Sequence, residues 1–200
     1  MQSTLRRSQW SETRIHTEHG LSPVTYIYRV NEGDKEHPWL VVAQSAVLAQ
    51  LGIDGWGLYA AKSFKKGDYL GKMDGALVGQ FSTREEAMSA PATRRLLRQG
   101  RDKLVTVRSP QGSGFHLLDC QGAGPPHLEM ANDPRGTRRG PSAELTEYGW
   151  MRVTRARIPA FSLCKPIQEN GDAEILWCYG DEYWDLFETL GQRANPIEVE

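Results

Sequence analysis

Hydrophobic positions along this chain fall into short runs rather than long helical stripes. Val24 to Val30 alternates weakly and Trp39 to Val42 is a compact apolar run. Val41-Val42-Ala43 and Ala46-Val47-Leu48 then predict strands leading into Gly52 to Ala60. Glycines at 52, 55 and 57 mark a turn that lets a ligand or another backbone come close. Lys65-Lys66-Gly67-Asp68 has the composition of a turn, and Tyr69-Leu70 opens another short strand. Ser82-Thr83-Arg84-Glu85 reads as a capping box, so helical turns are expected over Glu85 to Met88 and Thr93 to Arg98, interrupted at Pro91. Lys103 to Arg108 and Gly114 to Asp119 flank the turn-forming Ser109 to Ser113 and predict a hairpin. Gln121 to Arg139 is rich in Gly, Pro and Arg and predicts a loop, after which Gly149 to Arg157 returns to alternation. Ile175 to Tyr179 predicts a short apolar strand ended by Gly180. Tyr183, Trp184, Phe187 and Leu190 recur near helical spacing and predict an amphipathic C-terminal helix. The pattern is that of a mostly β protein with short helices.

Two hundred residues suit one domain with one core. An apolar fraction of 39% and a charged fraction of 24% are those of a soluble globular chain, and no apolar run reaches the roughly 18 residues that a membrane span needs. Met1 to Trp10 is polar and charged, unlike a secretory signal, so an intracellular protein is expected, with nucleus and cytoplasm not distinguished. Cys120, Cys164 and Cys178 form no CxxC pair and read as reduced thiols. His16 and His19 stand three apart without cysteine or carboxylate at regular spacing, and no metal site is expected. The net charge of −1 gives no overall basic field for nucleic acid. Its distribution is uneven. Residues 165–200 carry nine acids against two bases, which suits a basic partner, and residues 84–139 carry ten bases against six acids. The latter stretch reads as a solvated helix and loop, the other reading being a phosphate-binding face.

Four segments, taken in order, resemble the SET-domain family of protein lysine methyltransferases over Leu40 to Leu190. Gly55-Trp56-Gly57 and the later Lys65-Lys66-Gly67-Asp68 turn resemble the family's opening G-x-G segment and its lysine-glycine-acid turn. Met73-Asp74-Gly75 stands where the family usually has Y-x-G. Leu118-Asp119-Cys120 followed by Glu129-Met130-Ala131-Asn132-Asp133 resembles its "D-A … R-F-x-N-H" segment, with Asp133 in place of the His. Glu174 to Trp184, reading Glu-Ile-Leu-Trp-Cys-Tyr-Gly-Asp-Glu-Tyr-Trp, resembles its "E-E-L-x-F-D-Y-G-D-x-x-W" close and is the most specific match, with Cys178 in place of an Asp. The family's zinc-binding cysteines after the domain are missing, and Met1 to His37 matches nothing in it.

The resemblance implies a SET-domain fold of small curved β-sheets with a pseudoknot-like threading of the C-terminal segment, an exception to the rule that chains avoid threading. It implies an N-terminal extension of unknown role at 1–37, the domain at 38–190 with a helical insert at 82–102, and an acidic tail at 191–200. The implied cofactor is S-adenosylmethionine, held by Gly55, Trp56, Gly57, Asn132, Asp133 and Trp184. The implied activity is methylation of lysines on a basic protein or peptide such as a histone tail, without direct nucleic-acid or membrane partners. Tyr179 is the expected catalytic residue, and Met73, Trp177 and Tyr179 line the expected substrate channel. In this chemistry an amine displaces a thioether in line, so alignment matters most. Deprotonating a lysine of ordinary pKa at neutral pH costs roughly 4 to 5 kcal/mol, which a narrow apolar channel reduces. A binding module that keeps the fold without turnover is the alternative, favoured by Met73, Asp133 and Cys178. A β-rich nucleic-acid binder using Arg94 to Arg108 and Arg135 to Arg139 is the third reading.

Overall fold

The computed structural model describes residues 11–15, 25–29, 39–123, 127–162, 165 and 167–189, with backbone alone for 11–15, 25–29 and 187–189. His16, His19, His37, Cys164 and the expected tail at 191–200 lie outside the described residues. The architecture is a set of small antiparallel β-sheets with a few short helices.

The compact apolar run at Leu40 is explained by burial on both faces. Strand β1 (Ser11–Ile15) pairs with β2 (Thr25–Arg29), β2 with β3 (Leu40–Gln44), and β3 with β4 (Trp56–Ala60), forming one antiparallel sheet. Side chains alternate across a strand. Leu40, Val42, Leu58 and Ala60 therefore enter the main core, while Val41, Ala43 and Tyr59 enter a second cluster with Ala46, Ile167 and Ala173.

After β3 the chain turns into helix α1 (Ala46–Gln50), where a strand was expected over Ala46-Val47-Leu48. Three apolar residues in a row do not separate helix from strand. Ser45 decides the matter as N-cap, its hydroxyl oxygen accepting the Leu48 amide at 3.0 Å.

Strand β5 (Phe64–Lys65) pairs with β12 (Arg157–Ile158), and β6 (Tyr69–Lys72) pairs with β11 (Trp150–Val153), which in turn pairs with β10 (Ala143–Leu145). The fourth sheet has β7 (Ala76–Phe81), β9 (Phe115–Asp119) and β8 (Leu104–Arg108) in that spatial order, so the expected hairpin forms, with Arg108 opposite Phe115. Between β7 and β8 lie α2 (Arg84–Ser89) and α3 (Pro91–Arg98), within the expected helical insert. The cap is one residue later than expected: Thr83 accepts the Glu86 amide at 3.1 Å, while Glu86 accepts the Ser82 amide at 2.8 Å. Pro91 occupies the first turn of α3, where its missing N–H costs no hydrogen bond.

The apolar segment Ile175 to Tyr179 is not a ladder-paired strand, contrary to expectation. Its neighbours change from residue to residue. Tyr59 and Glu174 form an antiparallel bridge, and the Ile175 amide donates to the Leu58 carbonyl at 2.7 Å. The Leu176 carbonyl accepts the Ser142 and Ala143 amides at 2.8 and 3.0 Å, and the Trp177 amide donates to Asn132 at 3.0 Å. Every polar backbone group named here is satisfied, but by three separate parts of the chain. Helix α4 (Asp181–Thr189) follows, as its aromatic spacing predicts, and Tyr183 packs into a third cluster with Ala87, Leu97 and Leu117.

Candidate active site around Tyr179

Tyr179 sits in an aromatic group drawn from the C-terminal segment and α4. Its ring centroid lies 4.9 Å from Trp177, 5.0 Å from Tyr183 in an edge-on arrangement, and 6.2 Å from Trp184 in a near-parallel one. Such pairs add to ordinary burial by about 0.5–1.5 kcal/mol each and restrict ring rotation.

One carbonyl orients two of these rings. The Tyr179 hydroxyl donates to Ala131 O at 2.9 Å, and the Trp177 indole N–H donates to the same oxygen at 3.1 Å. A tyrosine hydroxyl has one proton, so the Tyr179 oxygen is left with lone pairs to accept from another group.

Lys103 lines the same small cavity as Tyr179. Burial alone would lower the lysine pKa, but Tyr179, Asp102 and Glu129 outweigh it and hold the pKa above the ordinary value. Burial holds the Tyr179 hydroxyl itself above its ordinary pKa, against the opposing pull of Lys103. Glu129 is 5% exposed and lies 3.2 Å from His127, so charge-bearing groups underlie the aromatic cluster. The sequence reading missed Lys103, Glu129 and His127, and it took Lys103 only as the start of a strand.

Two cavities meet at Tyr179 and Trp177. The larger, about 330 Å³, lies between Leu104 to Thr106 on β8 and Ala143 to Leu145 on β10. Among the described residues each of these strands is ladder-paired along one edge, β8 with β9 and β10 with β11, and the Ala143 amide at the start of β10 donates to the Leu176 carbonyl. The Arg108 amide donating to Glu147 O at 2.5 Å joins the two sides near the end of β8. The smaller cavity, about 20 Å³, is lined by Met73, Lys103, Glu129, Trp177, Tyr179 and Tyr183 among others. All three expected channel residues, Met73, Trp177 and Tyr179, line it together.

The residues expected to hold a cofactor form a connected chain of contacts reaching Tyr179. Asn132 donates its amide to Trp56 O at 2.8 Å and lies 3.4 Å from Glu174. Asp133, which stands where the resemblance has a His, accepts at one oxygen the Tyr179 amide at 2.8 Å and the Trp184 indole N–H at 3.0 Å. Its other oxygen accepts the Arg135 amide at 2.7 Å. Arg135 lies over the Trp184 ring at 5.3 Å and pairs with Asp181 at 2.6 Å.

The glycines have internal reasons. A Cβ at Gly57 would strike the Glu174 carboxylate, and one at Gly55 would strike Leu48. Glu174 is 1% exposed and is approached by Ser45 Oγ at 2.5 Å and the Val47 amide at 3.0 Å. Burial holds its carboxyl above the ordinary pKa, against those hydrogen bonds.

S-adenosylmethionine therefore fits this region in part. The indole of Trp56, 39% exposed, and the guanidinium and indole of Arg135 and Trp184 offer surface for an aromatic base and an anionic group. The Asn132 amide is engaged within the protein, and the space beside Gly57 is filled by Glu174. Among the described residues no group of three or more His, Cys, Asp or Glu side chains is placed to hold a metal, and no helix is long and apolar enough to cross a membrane. No known protein-family model matches this chain, and no curated protein matches it either.

Proposed function

We propose that the chain is an S-adenosylmethionine-dependent protein lysine N-methyltransferase acting on a basic protein such as a histone tail, with Tyr179 aligning the amine. The observation that carries this reading is the direction of the Tyr179 hydrogen bond. With its proton given to Ala131, the hydroxyl oxygen accepts from an amine N–H or from a polarised methyl C–H. When bound, the cofactor supplies an electrophilic methyl on a sulfonium. Trp177 and Tyr183 wall the small cavity at the Tyr179 hydroxyl, and Asp102 and Glu129 beside them favour a cation there, so the amine must lose its proton before it reacts. Trp56, Arg135 and Trp184 are the residues that would hold the cofactor.

An extended peptide in the larger cavity would lie beside β8 and the part of β10 beyond Ala143, a mode in which main-chain bonds give affinity. Glu182 on the cavity wall suits a basic side chain. Support for the finer fold reading, a threaded SET-domain arrangement, comes from the segment around Ile175. It is bonded to Leu58 on one side and to Ser142 and Ala143 on another.

The direct test is radiolabelled methyl transfer to histones or a basic peptide, with Tyr179→Phe expected to lower it at least about a hundredfold. A wild-type chain that is thermally stabilised by the cofactor yet transfers nothing would instead support a binding module. That second reading has an observation of its own: the Asn132 and Asp133 side chains are engaged inside the protein rather than open to a ligand.

A further inference from the structure

Strands β5 and β6 run in line along one side of a ribbon, and β11 and β12 run in line along the other. The two halves are continuous: the Lys66 amide donates to Ala156 O at 3.3 Å, the Gly67 amide to Val153 O at 2.9 Å and the Val153 amide to Asp68 O at 2.9 Å. Phe64, Leu70, Met151, Val153 and Ile158 all turn into the same core cluster. The residues that alternate with them therefore share the opposite, outer face. Tyr69 and Lys72 both reach it although they stand three apart, because the ladder shifts register between Met151 and Arg152.

That outer face interleaves rings and cations. Tyr69 stands opposite Arg152 and Lys72 opposite Trp150 across β6 and β11, and Lys65 stands opposite Arg157 across β5 and β12. Tyr69 and Trp150 are 57% and 43% exposed, and their centroids lie 5.9 Å apart edge-on, which engages one of their four ring faces. Arg152 pairs with Glu144 at 2.9 Å, and the Asp68 carboxylate accepts the Lys65 amide at 2.8 Å. Among the described residues Lys65, Lys66, Lys72 and Arg157 make no ion pair. Like charges directly opposite each other destabilise a sheet, so Lys65 facing Arg157 has a cost that folding alone does not explain. Neither cavity at Tyr179 is lined by any of Lys65, Tyr69, Lys72, Trp150, Arg152 or Arg157.

We propose that this face binds single-stranded nucleic acid, with bases resting on Tyr69 and Trp150 and phosphates meeting Lys65, Lys72 and Arg157. A duplex keeps its bases stacked inside and would leave the rings unused. An acidic peptide satisfies the cations but gives the rings nothing flat to stack on. The net charge of −1 conceals this local excess, which is why composition alone points away from nucleic acid. The inference is independent of the methyltransferase reading.

The test is fluorescence anisotropy of the full chain with a labelled oligothymidylate of about 12 nucleotides. With about three phosphates neutralised, affinity should fall roughly twentyfold between about 50 and about 200 mM salt. Trp150→Ala and Tyr69→Ala should each weaken binding by about fivefold or more, while Trp150→Phe retains most of it. Lys65→Gln combined with Arg157→Gln should weaken binding and flatten the salt dependence, yet raise the thermal midpoint because the repulsion is gone. Should an alanine variant fail to fold, this charge variant still decides. No binding at low salt, a duplex of the same length bound as tightly, or polyglutamate competing as well as the oligonucleotide would overturn the inference. So would unchanged affinity in a folded Trp150→Ala chain or in the charge variant.

Discussion

Asp133 holds the backbone amide of Tyr179 at 2.8 Å across 46 positions of chain. The same oxygen takes the Trp184 indole N–H, so one carboxylate joins the loop after β9, the C-terminal segment and α4. Charged acceptors of this kind are worth about 1.5–3 kcal/mol each, and removing one leaves buried donors unpaired.

Asp133→Ala is therefore expected to destabilise the chain by about 2–4 kcal/mol and to loosen the aromatic group. Denaturant unfolding with near-ultraviolet circular dichroism checks both. An unaltered midpoint would mean that the clasp contributes nothing.

The glycines at 52 and 57 are expected to behave differently when replaced. Gly57→Ala puts a methyl into the Glu174 carboxylate and close to Ser45, a packing conflict worth about 1–3 kcal/mol. Gly52→Ala meets no atom within 4 Å, but its φ of +72° is left-handed, so the cost is backbone strain of about 1–2 kcal/mol. Adding Glu174→Ala should relieve the first loss and leave the second, as a double-mutant cycle would report.

Stability should depend on pH through Glu174. Its carboxyl is held above the ordinary value of 4.5 by burial, so the folded state binds that proton more tightly than the unfolded chain does. The resulting stabilisation is complete below 4.5 and is lost as pH rises through the folded-state value. Thermal unfolding of wild type should therefore lose more stability than Glu174→Gln over that interval. Parallel pH profiles for the two would count against a raised carboxyl.

The two described cysteines are expected to separate by reactivity. Cys178 is exposed on the larger cavity, whereas the Cys120 thiol is buried and pushed up to about 12, chiefly by desolvation and then by Glu129. Thiolates, not thiols, are alkylated. Iodoacetamide at mildly alkaline pH should label Cys178 and spare Cys120, and the adduct should block peptide access to the cavity. Peptide mapping distinguishes the sites, and comparable labelling of native Cys120 would contradict the burial.

What was legible in the sequence is local. The hairpin of β8 and β9 was readable because five turn-forming residues separate its two β-rich runs, and α4 because its aromatic residues share a face. Ala46 to Leu48 was misread because its fate is settled by Ser45 and by burial from both sides. Ile175 to Tyr179 was misread because an apolar run looks the same whether it pairs with one strand or with three unrelated segments. Tyr179, Trp177 and Met73 were singled out and do come together. Lys103 was not, since nothing adjacent to a lysine in sequence tells that a tyrosine 76 positions later will line the same cavity. Asp133 was noticed only as a departure, whereas its contacts with Tyr179 and Trp184 give it a positive role.

The junction at Glu174 also bears on the order of assembly. Ser45 and Glu174 are 129 positions apart, and the following residues need Leu58, Ser142 and Asn132 already in position. Closing so long a loop costs entropy that is recovered only when several partners are ready together. The segment carrying Tyr179 is thus the last to dock. During synthesis or refolding the early sheets can form without it, and the site is completed only when this segment docks.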